Sequence, residues 1–185
     1  MDERGAGRFK PAMSYGLMIA AVLIGLNLLA WFFKLEGSLW FQYLNWGILI
    51  GVLYYALKSY RDQQLGGFIT YGRAVRSGLL FFFFASWLYG FYTVLYFAYL
   101  DPEAIDRGLD AVEELYYSRG LSEEQIDRMM QMATRMRTPG MQVVSVIFGT
   151  TLLGLILSLL VSILVRRKGD PFAEAMRNIP PDTQS

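Results

Sequence analysis

Four long blocks of apolar sequence without a charged side chain constrain this chain more than any other feature. They cover residues 13–33, 40–57, 78–100 and 141–165, and none contains Asp, Glu, Lys or Arg. Because an α-helix rises ~1.5 Å per residue, roughly 20 such residues cross the hydrocarbon core of a bilayer. Hydrophobic residues make up 54% of the 185, and they are concentrated in these blocks. The sequence therefore predicts an all-α integral membrane protein with four transmembrane helices.

The second block is the weakest candidate, because it is the shortest of the four and contains Asn45. Aromatic residues near its two ends, such as Trp40 and Tyr55, suit the membrane–water interfaces, and we count it as a span. The first block is too long for the apolar core of an ordinary signal peptide. It also lacks a small-x-small cleavage site before Lys34, so we expect it to remain in the mature chain.

Basic residues predict how the chain is threaded. The segments that four spans place on one side of the membrane carry eleven Lys and Arg residues, and the other side carries six. By the positive-inside rule, both termini of this multi-pass protein face the cytoplasm. Arg135 and Arg137 oppose this orientation from the outer end of the fourth span, but Arg166, Arg167 and Lys168 stand at its inner end.

The outer loop, residues 101–140, is long and patterned enough to form a helical hairpin. Asp101 is placed to cap a first helix, with Pro102 at its first position and Glu103 near the positive end of its dipole. Gly120 is expected to end this helix. The apolar face of the first helix comprises Ile105, Leu109, Val112 and Tyr116.

A second loop helix is expected after Ser122, which has capping-box spacing to Gln125, and Pro139 with Gly140 would close it. Its apolar face comprises Ile126, Met129, Met130, Ala133 and Met136. The loop carries nine acidic residues against five arginines. We interpret it as a solvated hairpin whose apolar faces pack together or rest on the membrane surface. The alternative is a partner groove, because methionines at helical spacing form an adaptable binding surface.

Small residues recur along the spans at the spacing of close helix–helix contacts, where hydroxyl groups can also bond between helices. They are Thr150, Gly154, Ser158 and Ser162, with Ser145 and Gly149 beside them, and also Gly47 with Gly51, Gly16 with Ala20, and Ala21 with Gly25. We predict that these faces pack within the monomer, with a homodimer seam as the alternative. Asn27 and Asn45 are expected to bridge helices, and the alternative is that they line a small polar cavity.

The sequence contains no His and no Cys. It therefore lacks the commonest metal ligand, the commonest general base and any thiol. The spans also hold no carboxylate of the kind that marks ion-coupled transport. We predict no catalytic, cofactor-binding or metal-binding residue, no cofactor and no nucleic-acid partner, and we expect the protein not to be an enzyme.

Three other interpretations stay open. A small transporter or channel subunit would need a polar path through Asn27, Asn45, Ser86, Thr93 and Thr150. A lipid-active membrane enzyme would have to use Asp101, Glu103 or Arg73 near an interface. A cation cage could form from aromatic residues of the third span, although core packing or lipid contact is the simpler explanation. Those aromatic residues are Phe81 to Phe84, Trp87, Tyr89, Phe91, Tyr92, Tyr96, Phe97 and Tyr99.

The segment GGFITYGRAVRSG, residues 66–78, joins the second and third spans. Its leading glycines permit a sharp turn, and Thr70 is placed to cap the helix that follows. The segment lacks the preceding strand and the Gly-Lys-Ser/Thr ending of a phosphate loop, so nucleotide binding is not expected. Arg73 and Arg76 can extend to lipid phosphates while their stems lie along apolar surface. We interpret the segment as a helix-entry anchor that contacts membrane lipid.

Together, these motifs resemble the domain of unknown function family 4199. The resemblance rests on a Gly-x-Ile-Thr-Tyr-Gly-x-Ala entry to the third span, Asp101-Pro102 before the outer loop, and Gly154 with Ser158-Leu159 before a basic tail. It extends from about Ser14 to Lys168. The resemblance implies a small four-span protein of the bacterial inner membrane, and it assigns no catalytic or binding residue.

The sequence thus predicts one four-helix transmembrane domain over residues 1–168 and a polar cytoplasmic tail over 169–185. We hypothesise a non-enzymatic membrane protein that is structural or that binds a partner through its acidic outer loop. The alternative is a small transporter or channel subunit. The expected partners are membrane lipid and an unidentified protein, with a second copy of this chain as a further possibility.

Overall fold

The computed structural model describes residues 3–35, 37–135 and 138–167, with side-chain environments from residue 10 onward. Six α-helices and one π-helical segment account for these ranges, and no β-strand occurs within them. They are α1 Glu3–Phe32, α2 Leu39–Gln64, α3 Tyr71–Leu95, the π-helical segment Tyr96–Leu100, α4 Ala104–Ser118, α5 Glu123–Arg135 and α6 Pro139–Val165. The prediction of an all-α fold is confirmed. The polar tail over 169–185 and Met136 lie outside the described residues.

Three helical stretches are long and apolar enough to cross a membrane, namely Lys10–Phe32, Tyr71–Leu100 and Pro139–Val165. Within their most apolar windows, only 22% to 39% of the residues are buried inside the protein. The remaining apolar side chains, such as Phe148 and Leu164, face outward. A soluble monomer rarely exposes so much contiguous apolar surface, so these helices are typical of a membrane protein. The second predicted span lies within α2, which is not among the three stretches.

The core of the bundle forms around α3, which packs against α6 on one side and α1 on the other. Phe81 and Phe82 are fully buried at its centre. The α3–α6 contact is close because the small residues Gly78, Gly154 and Ser158 lie where the two helices cross. A Cβ atom added at Gly154 would lie 2.2 Å from the Cβ of Phe82, and one at Gly78 would lie 2.3 Å from the Ser158 hydroxyl. Neither site has room for a larger residue.

The predicted small-residue face of α6 therefore packs within the monomer. Gly154, Ser158 and Ser162 are buried, and Gly16 of α1 meets Phe84 in the same manner. The prediction that hydroxyls bond across the contact is wrong for Ser158 and Ser162, whose Oγ atoms have no hydrogen-bond partner among the described residues. These serines act as small packing groups. The remaining small pairs are not close contacts, because a Cβ added at Gly25, Gly47, Gly51 or Gly149 would meet nothing within 4 Å.

The connection between α2 and α3 turns as the sequence predicted, since Gly66 and Gly67 both have positive φ angles, of 65° and 89°. Thr70 has an extended backbone before the first residue of α3, but its side chain makes no capping hydrogen bond. Ile69 and Arg167 exchange two backbone hydrogen bonds of 3.1 Å as an isolated antiparallel bridge. This bridge holds the chain after α6 against the loop that enters α3.

The outer loop forms the predicted hairpin of two helices. Gly120, with a φ of 75°, ends α4 in a Schellman motif. The Leu121 amide donates to the Tyr116 carbonyl, and the Gly120 amide donates to the Tyr117 carbonyl. At the start of α5, the Ser122 amide donates to the side-chain oxygen of Gln125 at 3.1 Å, which is one half of a capping box.

The apolar stripe of α5 is only partly covered. Ile126 is 1% exposed, whereas Met129 is 46% exposed and Met130 is half-buried. The helices α4 and α5 pack mainly against each other. The first residue of the stripe therefore anchors α5, and part of its methionine surface faces outward.

The predicted cap of α4 is wrong. The helix begins at Ala104, the residue at the cap position is Glu103, and no side chain caps it. Asp101 lies two positions before the cap position, directly after the π-helical segment Tyr96–Leu100. Its carboxylate is used in a different contact.

Candidate functional site

The most unusual backbone of the protein lies where α3 approaches the hairpin. Its last turn widens into a π-helix over Tyr96–Leu100, and the Asp101 amide donates to the Tyr96 carbonyl at 2.9 Å. π-Helical turns are rare and concentrate at functional sites, because they displace side chains from the regular helical spacing. Here the widened turn directs Tyr96 and Asp101 into one polar cluster.

Asp101 and Arg107 form a paired charge at the centre of this cluster. Asp101 is 9% exposed, and the two guanidinium nitrogens of Arg107 bind its two carboxylate oxygens, one of them at 3.0 Å. The Tyr96 hydroxyl also donates to this carboxylate at 3.4 Å. The Arg107 hydrogen bonds hold the pKa of Asp101 below its ordinary value, although burial opposes them. The carboxylate is therefore ionised at neutral pH, and it ties the start of α4 to the end of α3.

A row of polar groups continues from this ion pair toward α1. The Tyr92 hydroxyl donates to the Asn27 side-chain oxygen at 2.7 Å, which joins α3 to α1. The Tyr92 ring stacks on Tyr89 with centroids 5.9 Å apart and lies 6.0 Å from Tyr96. The prediction that Asn27 bridges two helices is confirmed. Asn45 behaves differently, because its buried side-chain oxygen has no hydrogen-bond partner among the described residues.

Two clefts open on either side of Arg107, and each has a volume of about 580 Å³. One is lined by Trp31, Phe32, Lys34, Asp101 and Arg107. The other is lined by residues of α1, α3 and α4 that include Asn27, Tyr89, Thr93, Tyr96 and Arg107. Aromatic walls with a few hydroxyl, amide and guanidinium groups can hold a small ligand or a side chain of a partner. Arg107, whose side chain is 51% exposed, contributes to both clefts.

The groups that metal binding requires are not assembled here. Across residues 3–35, 37–135 and 138–167, no three His, Cys, Asp or Glu side chains lie close enough to hold a metal ion. Asp101 already accepts hydrogen bonds from Arg107 and Tyr96, which leaves it poorly suited to take a proton from a substrate.

The residues considered for a lipid-active enzyme are not brought together. Asp101 and Arg73 lie at opposite ends of α3 and its π-helical continuation, roughly 40 Å apart at ~1.5 Å per residue. Glu103 is exposed, and its carboxylate lies 4.0 Å from the Arg107 guanidinium. These three residues do not form one reaction site.

The polar residues of the possible transport path make separate local contacts. Asn27 and Thr93 line the same cleft, although the Thr93 hydroxyl donates to its own helix at the Gly90 carbonyl. Ser86 is fully buried and accepts a hydrogen bond of 3.2 Å from Thr151. The Thr93 contact therefore stays within α3, and the Ser86–Thr151 contact is a local bridge between α3 and α6, which is the ordinary use of polar residues in membrane spans.

The aromatic residues of α3 divide between two surfaces. Phe81 and Phe82 lie in the core, and Phe83, Trp87 and Phe91 face outward with exposures of 39% to 58%. The outward rings are spaced four residues apart and contact one another along the helix. The phenylalanines up to Phe91 and Trp87 thus serve core packing and surface contact rather than a shared cage, whereas Tyr89 and Tyr96 line the cleft beside Arg107.

Arg107 is the residue of this site that the sequence analysis did not identify. It stands six positions after Asp101, which is not a spacing at which helical side chains meet. The π-helical segment and the short turn before α4 create the contact. An Asp-Pro pair followed by Arg on the first turn of an amphipathic helix is the only sequence signal, and it is weak.

A family model described as "Protein of unknown function (DUF4199)" matches residues 12–167. The match covers all four predicted spans in full, together with the hairpin and the polar cluster at its base. Neither the comparison with curated proteins nor the comparison with solved structures found a match.

Proposed function

We propose, from the premise that this chain belongs to the DUF4199 family, that it is a non-enzymatic integral protein of the bacterial inner membrane that binds a protein partner through its hairpin. The proposal rests on the charge, the exposed apolar side chains and the fixed position of the hairpin surface. This surface is acidic, it exposes apolar side chains, and its base is fixed to the bundle by Asp101 and Arg107.

In this proposal, α2 is a fourth span. Its 26 residues extend about 39 Å, which exceeds the roughly 30 Å thickness of the hydrocarbon core. Leu49, Leu53 and Leu57 are buried, and α2 packs against α1 and α6. Its apolar content is lowered by amide and tyrosine side chains and by the charged residues of its last turns. A helix that packs against two neighbouring spans through one face can be held in the membrane with a lower apolar content of its own.

Four spans place both termini on one side of the membrane and the hairpin on the other. The basic residues Arg61, Arg73, Arg76 and Arg166 all stand at the end of the bundle away from the hairpin. The positive-inside rule then assigns that end to the cytoplasm and the hairpin to the outside.

The charge of the hairpin indicates the kind of partner. Five of its carboxylates form no ion pair with any described residue, namely Asp110, Glu113, Glu114, Glu123 and Asp127. This charge disfavours contact with an anionic lipid surface and favours a basic protein segment. Met129 and Met132, with exposures of 46% and 64%, provide the adaptable apolar contact. The partner is thus a basic segment with apolar residues.

Photocrosslinking from the hairpin in living cells tests this function. A photoreactive amino acid at Met132 should give one discrete adduct of higher mass, and the same group at Gln64, at the opposite end of the bundle, should not. Replacing Asp110 and Glu114 with Asn and Gln should reduce the Met132 adduct by about tenfold, because two charge contacts with the partner are lost.

Limited proteolysis at Arg119 serves as the folding control for the Asp110 and Glu114 variant. If the variant hairpin resists cleavage as well as the parent hairpin does, its loss of the adduct reports the missing charges and not unfolding. Absence of any discrete adduct from Met132 in the parent chain would contradict partner binding. An adduct that is unchanged by loss of the two carboxylates would contradict the basic character of the partner.

A further inference from the structure

A third cleft lies at the opposite end of the bundle, and no hairpin residue is among those that line it. Its volume is about 530 Å³, and its lining includes Tyr60 of α2, Thr70 before α3, and Gly72, Arg73 and Arg76 on the first turns of α3. The antiparallel bridge between Ile69 and Arg167 fixes the loop beside this cleft.

The two arginines of the cleft are not neutralised by the protein. Arg73 and Arg76 are exposed, and neither forms an ion pair with a carboxylate of the described residues. The nearby carboxylate of Asp62 is held by Arg61 at 2.7 Å, and that arginine also donates to the Val165 carbonyl. Arg61 therefore has a structural role, and the charges of Arg73 and Arg76 remain available to a ligand.

Neutral donors stand beside these charges. The hydroxyls of Tyr60 and Thr70 make no hydrogen bond to another described residue, and Gly72 leaves open space at the wall between them. Two guanidinium groups with two hydroxyl donors are the groups that bind a phosphate, because its oxygens accept several charge-assisted hydrogen bonds at once.

The level of the cleft along the bundle favours a lipid phosphate. Arg76 immediately precedes the charge-free stretch that begins at Ser77, and Arg166 immediately follows the end of α6. The bridge between Ile69 and Arg167 brings the loop that enters α3 and the chain after α6 to the same level. Where a helix passes from apolar to charged sequence, the phosphates of the lipid headgroups lie beside it.

We infer that the cleft formed by Tyr60, Thr70, Gly72, Arg73 and Arg76 binds the phosphate of an anionic phospholipid. Anionic lipids are favoured over zwitterionic ones because Lys58, Arg166 and Arg167 add positive charge at the same end of the bundle. Each basic residue near the membrane surface strengthens the attraction to an anionic lipid. Free phosphate offers the same oxygens but lacks acyl chains that could lie along the exposed surface of α3.

Native mass spectrometry of the full chain in mild detergent tests this inference. Phosphatidylglycerol should remain bound as discrete adducts, and phosphatidylcholine should bind at least about tenfold more weakly. Replacing Arg73 and Arg76 together with Gln should reduce phosphatidylglycerol binding by roughly tenfold or more. The matched control replaces Arg119 and Arg135 with Gln, which removes the same charge at the hairpin and should leave lipid binding unchanged.

Three results would overturn the inference. The first is that the Arg73 and Arg76 variant binds phosphatidylglycerol as well as the parent does. The second is that the hairpin control loses as much lipid binding as that variant. The third is that 10 mM inorganic phosphate displaces the lipid. The last result would mean that the cleft takes phosphate from solution.

Photocrosslinking of the unmodified protein provides a second measurement that does not depend on folding of the variant. A phosphatidylglycerol analogue with a photoreactive headgroup should label a peptide within residues 60–76. Labelling confined to other peptides would also overturn the inference.

Discussion

The ion pair between the buried Asp101 carboxylate and the Arg107 guanidinium ties the end of α3 to the start of α4. Replacing Asp101 with Asn keeps the shape of the side chain and removes its charge. Hydrogen bonds to charged groups contribute about 1.5–3 kcal/mol, and about 1.4 kcal/mol corresponds to a tenfold change in an equilibrium. We expect tryptic cleavage at Arg119 to become roughly tenfold faster while the bundle remains folded in detergent.

The Glu124–Arg128 pair supplies the control for this experiment. Both of its side chains are exposed, and their closest charged atoms are 3.2 Å apart. Such surface pairs contribute little, so Glu124→Gln should leave cleavage at Arg119 nearly unchanged. Equal rates of cleavage at Arg119 in the Asp101→Asn variant and the parent would show that the ion pair does not hold the hairpin to the bundle.

The lowered pKa of Asp101 also predicts how the hairpin responds to acid. A carboxyl group whose pKa is lower in the folded state contributes its full stabilisation above its unfolded pKa of about 3.9. That stabilisation is lost as the pH falls through the folded-state pKa. The contact between hairpin and bundle should therefore be unchanged from pH 8 to pH 5 and should weaken only below about pH 4.

The absence of cysteine from the sequence makes this prediction easy to measure. Spin labels on cysteines introduced at Leu39 and Asp110, both of which are exposed, would report the distance between α2 and α4. The distance distribution should broaden only in strong acid. Broadening between pH 7 and pH 5 would show that the lowered pKa of Asp101 does not control the contact between hairpin and bundle.

At the scale of elements, the α3–α6 contact depends on residues that are too small to separate the helices. Gly154→Leu places a side chain where a single Cβ would already lie 2.2 Å from Phe82. Overpacking typically costs about 1–3 kcal/mol, so we expect the apparent melting temperature in detergent to fall by roughly 5–10 °C. The yield of monodisperse protein should fall with it.

Gly149 provides a matched control on the same helix. A Cβ at this position would meet nothing within 4 Å, so Gly149→Leu should leave the melting temperature close to that of the parent. Equal tolerance of the two changes would mean that α6 does not pack on α3 through Gly154. Sensitivity at Gly149 alone would indicate that a second molecule covers that face.

At the scale of the whole molecule, the proposed arrangement of four spans makes a prediction about threading. A reporter that is active only in the cytoplasm should work when it is fused after Ser185 or inserted near Gln64. It should be silent when inserted near Ser118, because the proposed orientation places the hairpin on the other side of the membrane. Activity near both Gln64 and Ser118 would show that α3 does not cross the membrane as proposed.

A second reporter, active only outside the cytoplasm, supplies the control for expression. It should give the opposite pattern at the same three positions. The decisive comparison for α2 is between a fusion within residues 34–38 and one near Gln64. Reporters at these two places should differ if α2 is a span and agree if it lies along the surface.

Much of the fold could be predicted from the sequence because local properties determine it. Charge-free stretches of sufficient length indicate membrane helices, and Gly120 and the Ser122–Gln125 spacing marked the boundaries of the hairpin helices correctly. Small residues spaced four apart identified the α6 face that packs closely. Each of these signals lies within one helix or turn.

The candidate site required the tertiary structure. The contact of Asp101 with Arg107 depends on a π-helical turn, and the sequence predicted Asp101 as a helix cap instead. The basic cleft likewise joins α2 to the start of α3, and the bridge between Ile69 and Arg167 crosses almost a hundred residues of sequence. The sequence by itself determined the helices, because apolar length and local spacing suffice to specify them. Only the tertiary structure decided which polar groups meet, because those contacts depend on how helices distant in sequence are rotated and placed against one another.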